Sequence, residues 1–394
     1  MTPDIASRLR DTRSVPLAWR NLVSNKLRLA RSVAGIGFAV LLMLVQLGFE
    51  RGFFDASLGM VRELDGDLFV MRASKYRFGG EDPFAPRALQ PARDVAGVAS
   101  VAPLYASWQR FFWKDPNGDK SYLVQAFGFD PDRPVFLMPA IRARSERLKE
   151  ADAAIVDRRS RRFLGMGGGA RETEINGRPV RIVGSYALGP DFMSNGTVMM
   201  SERSFAALLT GDPANAAQAP IEFGVVKLRP GADIDAVQQA LRAALPGELR
   251  VLSKLELVAF ERAFQADLSS AGPIFWMGTI VGFIVGMLIS YQIIYSDLSD
   301  QLPQYATLKG MGYRSLYLVR VVFEQAGFTA IAAYVPAWLL CLAVYRVIGE
   351  LALMPLQMTL QQTLISFGLT LGMCLLSAAL AIRRVIAVDP AEVF

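Results

Sequence analysis

The sequence predicts a membrane α-helical fold with four transmembrane helices and both termini cytoplasmic, and with a large α+β domain inserted outside the cytoplasm between the first and second helices. Three observations predict it. Four long apolar runs punctuate the chain, residues 51–272 between the first two have strand, turn and helix composition, and Lys and Arg crowd one side of the runs. Composition agrees. With 52% hydrophobic and 20% charged residues among 394 and a mean hydropathy of +0.30, the chain reads as part lipid-embedded and part water-soluble.

A bilayer core needs roughly 20 apolar residues in a helix. Val33–Phe49, Ile274–Tyr295, Val321–Tyr345 and Thr363–Ile382 qualify, and only Glu324 interrupts them with an acid. The first run is short and extends through Leu29–Ser32, with Arg28 and Arg31 reaching back to the interface. Gln46-Leu47-Gly48-Phe49-Glu50 offers no small-residue cleavage site, so this run reads as a signal anchor rather than a cleaved signal peptide. Basic residues set the orientation. Arg8, Arg10, Arg13, Arg20, Lys26, Arg28 and Arg31 precede the first span. Lys309, Arg314 and Arg320 lie between the second and third, and Arg383 and Arg384 follow the fourth. The net charge of +6 is therefore read as membrane orientation and not as nucleic-acid binding.

These signals divide the chain into a cytoplasmic amphipathic helix (1–31), span 1 (32–50), the external domain with a helical stalk (51–272), span 2 (273–295) and a cytoplasmic loop (296–320). Span 3 (321–345), a short external loop (346–362), span 4 (363–382) and a cytoplasmic tail (383–394) complete it.

Ser14 caps the first helix with Pro16 in its first turn. Val15, Ala18, Trp19, Leu22 and Val23 share one face and Arg20 lies on another, the pattern of a helix in the headgroup plane anchored by Trp19 or of a plain lead-in to span 1. In the middle loop, Pro303 suits a first helical turn and Gly310 a residue just past a helix end. The short helix between them exposes Tyr305, Leu308 and Met311, either to a partner or to the membrane interface. Asp389-Pro390 starts another short helix in the tail.

In the external domain, Asp67–Met71, Tyr122–Phe129, Ala153–Asp157, Val180–Tyr186 and Phe223–Leu228 read as strands separated by Asn117-Gly118, Asn176-Gly177, Asn195-Gly196 and Pro230-Gly231 turns. Asp233–Leu245 reads as a helix with Asp233 as cap and Ile234, Val237, Leu241 and Leu245 inward. Ser253-Lys254-Leu255-Glu256 is a capping-box pattern, and a helix continuous from Leu255 to Tyr295 would reach about 60 Å.

Several chemistries are excluded. The chain has no histidine and two cysteines, Cys341 and Cys374, both in apolar runs. That removes the usual zinc sites, the Ser-His-Asp triad, the Cys-His dyad and a disulfide framework. Gly165-Met166-Gly167-Gly168-Gly169-Ala170 is not followed by Gly-Lys-Ser/Thr and reads as a flexible loop, so no ATP-hydrolysing machinery is carried. Asp65, Asp67, Asp130 and Asp132 read as solvated turn residues. Glu324, an intramembrane acid, has two readings: a functional group, or an interfacial carboxylate about a turn inside its helix.

The chain resembles the permease subunits of FtsX/MacB-type ABC transporters, and within them the DevC subfamily of exporter permeases. The resemblance rests on Val15-Pro16-Leu17-Ala18-Trp19-Arg20-Asn21-Leu22, on Gln46-Leu47-Gly48-Phe49, on Tyr291–Tyr313 and on the terminal Asp389-Pro390-Ala391-Glu392. Val95-Ala96-Gly97-Val98 and Leu228-Arg229-Pro230-Gly231-Ala232-Asp233 match landmarks of the family's external domain. The resemblance implies a non-catalytic permease in the bacterial inner membrane with its large domain in the periplasm. It further implies pairing with a second copy of the chain and with two copies of a separate ABC ATPase, which holds the ATP and Mg while this chain binds no cofactor. Leu302, Pro303, Tyr305, Leu308, Lys309, Gly310 and Met311 would form the helix that docks on the ATPase. A periplasmic membrane-fusion adaptor and an outer-membrane channel would complete an exporter of lipidic or amphiphilic cargo. Related systems regulate a cell-wall hydrolase or release lipoproteins.

Overall fold

The computed structural model describes residues 26–115, 118–168, 171–189, 194–211, 218–268, 271–303, 307, 311, 315–352 and 356–386. The chain divides into two units, one of Met1–Glu50, Ile274–Val347 and Leu356–Phe394, the other of Arg51–Pro273 and Ile348–Pro355.

The first unit is helical. It takes the N-terminal part of α1 (Lys26–Glu63), α5 (Ala271–Asp300), α6 (Ser315–Ala352) and α7 (Leu360–Ile386). Each contains a stretch long and apolar enough to cross a membrane: Leu29–Glu63, Gly272–Asp300, Val319–Leu351 and Leu360–Ile382. Ile36, Val40, Met43 and Leu44 of α1 pack with Ala330, Ala333 and Cys341 of α6 and with Met373 and Cys374 of α7. Close approach rests on small residues, since lipid offers no hydrophobic drive between helices. A Cβ at Gly282 would stand 3.2 Å from Met43 Cγ, and one at Gly286 would stand 2.7 Å from Met373 Sδ. Pro336 lies inside α6, where neighbouring helices make such a breaker tolerable.

The second unit is a nine-stranded sheet in the order β3-β7-β4-β6-β5-β2-β8-β1-β9. Its strands are β1 (Leu68–Arg72), β2 (Val98–Lys114), β3 (Ser121–Phe129), β4 (Ala153–Asp157), β5 (Glu172–Ile175), β6 (Arg178–Tyr186), β7 (Thr197–Ser201), β8 (Phe223–Leu228) and β9 (Leu249–Ser253). β2 also pairs β3, which closes β2-β3-β7-β4-β6-β5 into a ring. The β3–β7 and β4–β6 pairs are parallel and the other pairs antiparallel. Both faces are covered. Leu68 and Val70 enter one core with Tyr105, Phe111 and Trp113, while Phe69 and Met71 enter the other with Leu104, Trp108 and Phe127. Period-two alternation explains the split.

The Asn176-Gly177 turn reading holds in detail, while Asn117 of the Asn117-Gly118 reading lies outside the described residues. Asn176 and Gly177 have φ of 52° and 74° and join β5 to β6 with Ile175 opposite Arg178, as a two-residue hairpin turn requires. α3 (Ile234–Ala244) is capped by Asp233, whose side chain accepts from Asp235 N and Ala236 N. Its inward face is Val237, Leu241 and Leu245, but Ile234, expected inward, stands at the first helical position after the Asp233 cap and is 46% exposed. The capping box at Ser253 and Glu256 is present in both directions and starts α4 (Lys254–Ala263). The stalk is not one α-helix from Leu255 to Tyr295. α4 passes into a π-helical turn, Phe264–Leu268, and α5 begins at Ala271. A second short helix, α2 (Glu202–Thr210), packs on the sheet through Phe205.

Candidate functional site

The sheet unit holds a cleft of 440 Å³, and the loop 73–83 between β1 and β2 forms one of its walls. That loop is fixed by buried charge. The Lys75 ammonium, on a residue 2% exposed, donates to the Glu222 carboxylate and to Gly80 O. It also faces the rings of Phe223 at 4.5 Å and Trp108 at 5.3 Å. The same Glu222 oxygen accepts from Asp82 N at 3.2 Å. Burial dominates both partners and only partly yields to their mutual attraction: it pushes Lys75 down and Glu222 up. From the other side, the Arg250 guanidinium donates to Lys75 O and lies 4.2 Å from the centre of the Phe260 ring.

A bulge completes the wall. Between Ser107 and Phe111 the register of β2 against β3 shifts, so that Trp108, Gln109 and Arg110 face Gln125 alone. Bulges re-aim side chains and leave backbone donors unpaired. Glu81 takes up those donors, accepting from Trp108 N at 3.0 Å, Gln109 N at 3.2 Å, Ser107 Oγ at 2.7 Å and Arg110 Nε at 3.1 Å. Trp108 and Gln109 thereby line the cleft, joined by Met60 of α1, Leu188 after β6 and Glu261 of α4. Glu261 is 4% exposed and accepts from Phe78 N at 2.6 Å and Gln265 Nε2 at 2.8 Å. None of these residues was singled out from the sequence. The Lys75 and Glu222 partners are 147 positions apart, and only the turn-like Gly79-Gly80-Glu81-Asp82-Pro83 marks the loop locally.

The residues singled out beforehand fare differently. Trp19, Arg20, Leu22, Tyr305, Leu308, Lys309 and Gly310 lie outside the described residues. Leu302 is half-buried and Pro303 exposed. Pro303 O accepts from Thr307 Oγ1 at 2.9 Å, Thr307 O accepts from Met311 N at 3.0 Å, and Met311 is 64% exposed. Glu324 pairs with Arg320 one turn earlier, its Oε1 2.8 Å from Arg320 Nε. Asp65 and Asp67 are more than solvated turn residues. Asp65 is bracketed by Lys227 at 2.7 Å and by Arg142, and Asp67 accepts from Leu228 N at 2.8 Å. Burial raises the Asp65 carboxyl, but Lys227 and Arg142 outweigh it and hold the group below its ordinary value. Asp130 accepts from Asp132 N at 3.0 Å, and Asp132 pairs with Lys149 at 2.6 Å. Among the described residues no group of three or more carboxylate or thiol side chains is placed to hold a metal.

Several polar side chains in the helical unit bond helix carbonyls. Gln46 Nε2 donates to Phe275 O at 3.2 Å, Gln362 Nε2 to Leu47 O at 3.1 Å and Ser377 Oγ to Met287 O at 2.8 Å. Thr329 and Thr370 bond one turn back within their own helices.

Among the described residues, four helices long and apolar enough to cross a membrane, with a sheet unit inserted in the chain between the first two, define the class of a multi-pass membrane protein. The MacB-like periplasmic core domain family matches residues 30–244, more than half of the chain, and the FtsX-like permease C-terminal family matches residues 276–390. The chain belongs to the FtsX/MacB-type ABC transporter permeases. Uncharacterized ABC transporter permeases from Mycobacterium bovis and Mycobacterium tuberculosis are 23% identical to it over 378 residues, 96% of this chain and 98% of theirs. The extracellular domain of the noncanonic ABC-type transporter YknZ from Gram-positive bacteria aligns with 48% of this chain and 99% of its own length, at 13% identity and a TM-score of 0.31.

Proposed function

We propose that this permease is the non-catalytic transmembrane subunit of a bacterial inner-membrane exporter in which a separate ATPase, closing on ATP and Mg, drives the sheet unit on the far side of the membrane. Both termini and the loop 296–320 are cytoplasmic in this reading, and the sheet unit is periplasmic. Two copies of the permease act with two of the ATPase. The cargo is lipidic or amphiphilic and leaves through a periplasmic adaptor and an outer-membrane channel, the arrangement of the DevC subfamily.

The observation that carries the reading is α1, one unbroken helix of 38 residues from Lys26 to Glu63. At 1.5 Å per residue it is roughly 57 Å long, against about 30 Å for a bilayer core. Such a helix is stiff enough to carry displacement from one face to the other without any chemistry in this chain. The engagement of Gln46, Gln362 and Ser377 with helix carbonyls also supports cargo movement outside the bundle, because a hydrophilic path needs polar groups left over to line it.

Docking through the loop is tested by Tyr305→Asp and Leu308→Asp. Each is expected to abolish co-purification of the ATPase with the permease while membrane insertion is unchanged. Undiminished co-purification would remove the docking assignment, and recovery of a cell-wall hydrolase in place of an adaptor would replace export with regulation.

A further inference from the structure

We propose that the cleft beside the Trp108 bulge is a binding site for a single-chain amphiphile with an anionic headgroup. Its volume of 440 Å³ falls in the range of ligand clefts, about 300–1,000 Å³. Met60, Phe78, Trp108 and Leu188 give it apolar walls. These walls are rigid: Phe78 stacks on Phe223 at 4.7 Å and meets Trp108 edge-on at 5.7 Å, and the Lys75–Glu222 pair pins the loop that carries it.

The charge at the site selects the headgroup. Among the described residues, Arg77 is the sole cation of the cleft lining and makes no ion pair. Its Nε is buried without a hydrogen-bond partner, while its guanidinium lies 5.8 Å from the ring centres of Tyr76 and Phe264. A buried donor without an acceptor is costly, and an incoming carboxylate or phosphate oxygen would supply one. The one acid among the described lining residues, Glu261, already accepts from Phe78 N and Gln265 Nε2, so Arg77 Nε is left as the donor that an incoming anion would satisfy. Phe264 and Gln265 belong to the π-helical turn, a deviation that recurs at functional sites because it re-aims side chains within a helix.

This site builds on the amphiphile-export reading and localises its cargo, but its test needs no ATPase. The full-length permease in phosphatidylcholine nanodiscs is irradiated with a diazirine-bearing palmitic acid or with its uncharged methyl ester, and labelled peptides are mapped by mass spectrometry. The acid is expected to label peptides carrying Met60, Trp108 or Leu188, and Arg77→Gln to lower that labelling about tenfold while Arg77→Lys retains most of it. Gly79→Leu is expected to block acid and ester alike. The nearest atoms to a Cβ at Gly79 are those of the Trp108 indole, at an ordinary 3.5 Å, so the substitution starts into the cleft without a clash at Cβ, and an unchanged melting temperature checks that the fold is kept. Equal labelling by acid and ester overturns the proposal, as does label confined to the spans. So does labelling unchanged in Arg77→Gln at an unchanged melting temperature. Loss of the ATPase from the purified complex with cleft labelling intact would count against the export reading and leave the site standing.

Discussion

Lys75→Met removes one half of a buried ion pair and leaves the Glu222 carboxylate, 2% exposed, with the Asp82 backbone N–H at 3.2 Å. Breaking such a pair from one side costs about 3–5 kcal/mol. For a unit of this size each kcal/mol moves the melting temperature by about 2–4 °C, so a drop of roughly 6–20 °C is expected. The assay is thermal unfolding of the detergent-solubilised full chain followed by tryptophan fluorescence, with Trp108 5.3 Å from the lost ammonium as a reporter. The double variant Lys75→Met with Glu222→Leu should melt above either single one, because burial opposes both charges: it lowers Lys75 and raises Glu222. The direction of the Glu222 shift also fixes a pH dependence. A carboxyl raised above its ordinary 4.5 contributes stability that is fully present below that value and lost as pH rises through its folded one. The deficit of Lys75→Met should therefore shrink as pH falls from neutrality toward 4.5. Wild-type melting of the single variant, or a double variant worse than both singles, would refute the argument.

Asp65 behaves oppositely. Its carboxyl is held below 3.8 by Lys227 and Arg142, so its contribution is present above that value and lost as pH falls through the depressed one. Asp65→Asn should flatten the acid limb of a stability–pH curve, and an unchanged limb would show the bracket to be inert. Gly48→Ala would drive a methyl into the Tyr345 ring, whose hydroxyl donates to Leu44 O. A loss of about 1–3 kcal/mol is expected, recovered in part by Tyr345→Leu, and wild-type melting would deny the contact. Ser253→Ala deletes the cap on Glu256 N and should cost about 1 kcal/mol, read as earlier urea unfolding. No shift in the urea midpoint would show that the cap is not needed.

Spans, strands and caps were legible where a local pattern is sufficient. Ala153–Asp157 and Phe223–Leu228 appear with the ends the sequence predicts, since turn residues bracket short β-branched runs. β2 was not predicted as a strand, although at 17 residues it is the longest of the nine strands. Its bulge interrupts the alternation, and Pro103 sits where β2 faces β8, a residue normally excluded from sheet interiors. The Gly278, Gly282 and Gly286 spacing is local in the sequence, and it brings α5 against Met43 and Met373. The cleft was beyond any local reading. Lys75, Glu81, Trp108 and Glu222 acquire meaning only once β1, β2 and β8 lie side by side.

The two cores share one helix. Ile36, Val40 and Met43 of α1 belong to the core of the helical unit, and Met60, Val61 and Leu64, at and just past its end, belong to one core of the sheet unit. A flexible linker between span and domain would cost less entropy to leave disordered, so a helix kept regular across both needs a reason. Its last turns supply one, because Ala56, Ser57 and Met60 form a wall of the cleft. A change of side chain at Ala56, Ser57 or Met60 therefore alters the shape of that wall directly.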